Sequence, residues 1–85
     1  MSHLIFVGEN PRLRSQLQEI AESARMEFHN FSTTKIAQFG QEPAIIVVEL
    51  ELKGSVEAVS EWKRLWSSCM IAGSIALPVQ ELWHA

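Results

Sequence analysis

Two glutamates are placed where they could work together. Glu49 ends the run AIIVVE at residues 44–49, and Glu9 follows the run HLIFVG at residues 3–8. Each stands just past a strand-like apolar segment. If those strands are neighbours, the carboxylates meet at one end of a sheet. Paired carboxylates can divide acid and base roles, because each disfavours ionisation of the other. Little else convenes around them. His3, His29 and His84 fall on different segments. His29 is on the polar side of a short alternating stretch, with no second ligand at metal spacing, and reads as a surface residue. Cys69 is the only cysteine, which excludes an internal disulfide and a multi-cysteine metal site. The expectation is therefore no catalytic residue, no metal and no cofactor.

The elements that must position these glutamates can be read from periodicity. Residues 3–7 form a strand bounded by Gly8 and Asn10. Asn10 before Pro11 is a natural cap and first-turn pair. Leu13, Leu17, Ile20, Ala21 and Ala24 then recur at steps of three and four, predicting an amphipathic helix over 11–25. Residues 26–31 (MEFHNF) alternate apolar and polar, as in a half-exposed strand at a sheet edge. Ser32 or Thr33 can cap a short helix to Phe39, which Gly40 ends. Residues 44–48 are a continuous apolar run, the pattern of a strand buried on both faces. Gly54 and Ser55 open a helix to Ser68 with an apolar stripe of Val56, Val59, Trp62, Leu65, Trp66 and Cys69. MIAGSIAL at 70–77 reads as a fourth strand, and PVQELWHA as a further helical turn.

Strands alternating with helices give an α/β fold with a parallel sheet. The simplest topology is an open, doubly wound sheet of four strands in the order 2-1-3-4. Its switch point lies between strands 1 and 3, where such folds place their ligands. Glu9 and Glu49 both fall there.

The 85 residues suit one domain, residues 1–85, and the formal net charge of -3 disfavours nucleic-acid binding. No apolar run reaches the length needed to span a bilayer. The N-terminal residues lack the basic segment and cleavage site of a signal peptide. A cytoplasmic protein without membrane contact is expected. All ten acidic residues are glutamates, and tyrosine is absent.

Two stretches, LIFVGENPRLRSQLQEI and EPAIIVVELELKG, carry a resemblance. The chain resembles the receiver domain of bacterial two-component response regulators, over roughly residues 3–77. The resemblance implies a flavodoxin-like sheet, truncated at its C-terminal side by a strand and about two helices. It also implies an acidic pair after strand 1, a phosphoacceptor aspartate ending strand 3, a hydroxyl residue ending strand 4 and a later lysine. Gly8 and Glu9 stand at the acidic pair, Glu49 at the phosphoacceptor and Ser74 at the hydroxyl position. The lysine has no counterpart. Without aspartate no aspartyl phosphate can form, and glutamate, one methylene longer, would displace the nucleophile. Glu49 then has two readings. It is a polar, solvated strand end, or a fixed charge standing in for a phosphoryl group, with about one negative charge against nearly two.

Such a truncated fold leaves part of the first helix's face bare over strands 3 and 4, and makes strand 4 an unprotected edge. The residues expected to form an interaction surface are Ile71 and Ile75 on strand 4, Leu82 and Trp83 in the tail, and Trp66 as an aromatic anchor. The favoured cover is a second copy, in a homodimer through strand 4, the tail or both. The resulting expectation is a non-enzymatic protein-interaction module, a pseudo-receiver of bacterial signalling. The alternative is a small-molecule or nucleotide site at the switch point, although neither G-x-G-x-x-G nor a Walker lysine motif is present.

Overall fold

The computed structural model describes residues 2–74, apart from the side chain of Ala37. The elements are β1 (His3–Val7), α1 (Pro11–Ser23), β2 (Glu27–Phe31), a single 3-10 turn (Ala37–Phe39), β3 (Ile45–Glu49), α2 (Ser55–Leu65) and β4 (Met70–Ser74). The four strands form one parallel sheet in the order β2-β1-β3-β4. The fold is α/β, with the strand order that the element sequence predicts.

Alternation along the strands sends neighbouring side chains to opposite faces. Leu4 and Phe6 pack with Leu17 and Ala21 of α1 on one face. Ile5 and Val7 pack with Ile46, Val48, Ile36, Ala58, Trp62 and Trp66 on the other, beneath α2. The two helices thus cover opposite faces. Asn10 caps α1 as its position before Pro11 predicts, its Oδ1 accepting from the amides of Arg12 at 3.0 Å and Leu13 at 3.2 Å.

Several expectations need correction. Trp66 is not an exposed anchor: it lies one residue past α2, turns back into the core and is buried beside Trp62. That inward turn ends the helix at Leu65, three residues short of the expected Ser68. Val56 and Leu65, taken for core positions, are exposed, because Ala58, Trp62 and Trp66 already fill the space above the sheet. Ile20 is exposed too, as α1 buries only Leu17 and Ala21. The helix expected over 32–39 contracts to one 3-10 turn, and among the described side chains of this stretch only Ile36 is fully buried. A single buried side chain does not make the apolar stripe that stabilises a helix. β3 is buried on one face at Ile46 and Val48, and only half-buried at Ile45 and Val47 on the other. The described part of β4 is an edge strand: Met70, Ala72 and Gly73 are exposed, and Ile71 is half-buried against the α2-side core. Ile75, Leu82, Trp83 and His84 lie outside the described residues.

Candidate functional site

Glu49, the last residue of β3, turns its carboxylate back across the sheet's C-terminal end. Its Oε1 accepts from the backbone amides of Glu9 at 3.1 Å and Asn10 at 2.8 Å. These amides lead into the N-terminus of α1, a place where backbone N–H groups otherwise attract an external anion. The chain supplies that anion itself. Glu49 is half-buried and bonded inward, so it is not simply the solvated strand end considered from sequence.

Gly8 makes this possible. A Cβ at residue 8 would lie 2.5 Å from Glu49 Oε1 and 2.6 Å from both Cδ and Cγ. The long glutamate therefore occupies space that any side chain at residue 8 would take. Glycine at 8 and glutamate at 49 are therefore one packing unit. The rest of the turn is equally tied down. Gly8 N–H donates to the Phe31 carbonyl at 2.8 Å, and the Asn30 carboxamide donates to the carbonyls of Phe6 and Gly8 at 3.0 and 3.1 Å. With the Asn10 cap, the β1–α1 turn is held from β2, β3 and α1 together.

The sequence-derived positions are brought together unevenly. Glu49 and Ser74 pair across β3 and β4 and line one open depression of about 550 Å³, with Asn10, Arg12, Gln16 and Glu51. Glu9 is exposed, and its backbone amide rather than its carboxylate reaches Glu49. The two carboxylates thus do not form an acid/base pair. The depression carries Arg12, the Glu49 and Glu51 carboxylates, and hydroxyl and carboxamide groups.

A second cluster escaped sequence reading. His3 and Glu27 are register partners on β1 and β2, and His29 follows Glu27 on the same face. His3 Nδ1 is 3.1 Å from His29 Nε2 and 3.2 Å from Glu27 Oε2. His3 Nε2 meets Gln41 Oε1 at 2.6 Å. Phe39 stands edge-on to both rings, with centroids 5.3 Å from His3 and 4.8 Å from His29. Spacing along β2 puts Glu27 two residues before His29, and the β1–β2 register adds His3. The usable signal was E-x-H on β2, whose two-residue step shares a face, beside a histidine opening the neighbouring strand.

Cys69 is half-buried, and its thiol is pushed up from 9.0 to about 11, first by burial and then by the nearby Glu42 carboxylate, against a lowering hydrogen bond from the Ile46 backbone. It is a poor nucleophile at neutral pH. No helix among the described residues is long and apolar enough to cross a membrane. No protein-family model matches the chain, and no curated protein or solved structure is similar enough to it to indicate a family.

Proposed function

We propose that this chain is a non-enzymatic protein-interaction module of the receiver-like, flavodoxin-like type, working in bacterial signalling in the cytoplasm and self-associating through β4. One observation carries the reading. On the face that α1 covers over β1 and β2, Ile45 and Val47 stay half-buried, while Met70 is 66% exposed and Ala72 is exposed beside them. An apolar strip thus runs out to an edge strand, the kind of surface that pairs with another chain. The inward-bonded Glu49 adds support, since a carboxylate engaged by two amides is poorly placed to take a phosphoryl group or a magnesium ion. A two-fold pairing of β4 edges would extend the sheet to eight strands and bury both strips.

Light scattering over a range of concentrations tests this. A dimer that dissociates on dilution, and that Met70→Lys weakens at least tenfold, is the expected result. A wild-type monomer at every concentration would sink self-association. The non-enzymatic part is tested by intact mass after incubation with magnesium and acetyl phosphate, where a phosphoryl mass gain would overturn it.

A second reading, a small-molecule site, is favoured by the depression at the switch point, where Arg12 and Gln16 stand opposite Glu49 and Ser74. It predicts a thermal shift with a nucleotide or other small anion that Arg12→Ala abolishes.

A further inference from the structure

The His3–Glu27–His29 cluster lies at the opposite end of the sheet from Glu49. His3 opens β1 and Glu27 opens β2, whereas Glu49 closes β3 of the same parallel sheet. It is independent of the interaction reading above. We propose that His3 Nδ1, His29 Nε2 and Glu27 Oε2 bind a divalent transition-metal cation of the zinc class, with a fourth position open to solvent or a further ligand.

Hydrogen-bond arithmetic is the first support. Gln41 Oε1 accepts only, so His3 Nε2, 2.6 Å away, carries a proton. The tautomer with its single proton at Nε2 presents a lone pair at Nδ1, the form that ligates a metal. That lone pair faces a carboxylate oxygen at 3.2 Å, which also only accepts. A third candidate donor atom, His29 Nε2, stands 3.1 Å from the same nitrogen. Lone pairs that converge in this way are satisfied by a cation between them, either a proton or a metal ion. If His29 Nε2 donates to His3 Nδ1 instead, the carboxylate still faces a lone pair.

Geometry is the second support. All three atoms lie within 4.8 Å of one another. Zinc bonds of about 2.0–2.1 Å to nitrogen and oxygen place tetrahedral ligands about 3.4 Å apart. The two closest approaches to His3 Nδ1 are already near that edge. The Glu27 side chain is 56% exposed, so it can adjust by a small rotation while the histidines stay in place.

The surroundings are the third. Metal-bound histidines commonly donate their other ring N–H to a fixed oxygen, which sets the tautomer and the ring plane. Gln41 does this for His3. The Phe39 ring closes one side of both imidazoles with an apolar wall. Two imidazoles and a carboxylate match borderline cations such as zinc and cobalt better than calcium or magnesium, which prefer all-oxygen sites. A bound cation would join the edge strand β2 to β1 and to the loop carrying Phe39 and Gln41.

The probes are zinc(II), by calorimetry, and cobalt(II), by visible absorption. The folded chain is expected to take one equivalent of either, with the intense visible bands of tetrahedral cobalt. His29→Gln and Glu27→Gln should each weaken binding more than tenfold. Gln41→Ala should weaken it by roughly 10–100-fold, as second-layer partners do. Cys69→Ser should leave it unchanged. Circular dichroism of the metal-free variants checks folding. Should His29→Gln not fold, Glu27→Gln decides, because its side chain is largely outside the core. Two results would overturn the site: no stoichiometric binding, with a proton alone found on His3 Nδ1 by nitrogen NMR, or binding that survives both His29→Gln and Glu27→Gln.

Discussion

Gly8 and Glu49 should behave as one unit under mutation. An alanine Cβ at residue 8 would stand 2.5 Å from Glu49 Oε1 and 2.6 Å from the two carbons behind it. Ordinary contacts between carbon atoms are about 3.5–4.0 Å, so Glu49 must retreat by about an ångström or more. That retreat breaks its bonds to the Glu9 and Asn10 amides, 3.1 and 2.8 Å long. Each bond contributes about 0.5–1.5 kcal/mol net. Both are near solvent, so the lower part of the range is appropriate. Set against the gain of about 0.4–1 kcal/mol that replacing glycine brings through the unfolded state, Gly8→Ala should cost about 0.5–1.5 kcal/mol net, or roughly 2–12 °C in Tm for a domain of this size. Gly8 is not among the glycines with positive φ, so backbone strain does not contribute. In the Glu49→Ala background the obstacle is gone. Only the unfolded-state effect of replacing glycine is left, which stabilises by about 0.4–1 kcal/mol. The substitution should thus change sign. Thermal melts of the four proteins, followed by far-UV circular dichroism, read the cycle directly. If Gly8→Ala lowers Tm equally in both backgrounds, Glu49 does not fill the space beside Gly8 and the reasoning fails.

Other outcomes follow from the same contacts. Asn10→Ala removes the acceptor for the Arg12 and Leu13 amides and should cost about 1 kcal/mol, read as a lower denaturant midpoint with an unchanged slope. Trp62, 1% exposed at the centre of the α2-side core, should cost about 3–5 kcal/mol as Trp62→Ala. In a domain this small that leaves little folded protein, visible as lost dispersion in the amide proton spectrum. Cys69, pushed up to about 11, should alkylate roughly 100-fold more slowly near neutral pH than in the unfolded chain. Because the folded thiol has the higher pKa, its contribution to stability is complete below 9.0 and is lost as pH rises toward about 11. The Tm difference between wild type and Cys69→Ser should change with pH only in that alkaline window.

Much of the architecture was legible because local signals agreed. Asn10-Pro11 marked the start of α1, the apolar run at 44–48 marked β3, and alternating element types fixed a parallel sheet. Placing Glu9 and Glu49 at one end of that sheet needed only spacing and strand order. What stayed hidden depends on contacts between elements. Periodicity could not show that Trp66 folds back after α2, or that this leaves Leu65 in solvent. It also could not show that the Glu49 side chain turns toward the Glu9 and Asn10 amides, since that depends on the space left at Gly8. The histidine pair was missed for a related reason. His3 and His29 are 26 residues apart, and only the β1–β2 register makes them neighbours.

We propose that a second copy docks on the apolar strip of Ile45, Val47, Met70 and Ala72. Deuterium uptake by the backbone amides of residues 70–74, measured at low and high protein concentration, tests it most directly. The account predicts slower uptake at high concentration, confined to β4 and the adjoining face of β3, and restored to the dilute rate by Met70→Lys. Uptake by β4 that is the same at both concentrations, in a sample whose other strands are well protected, would contradict it.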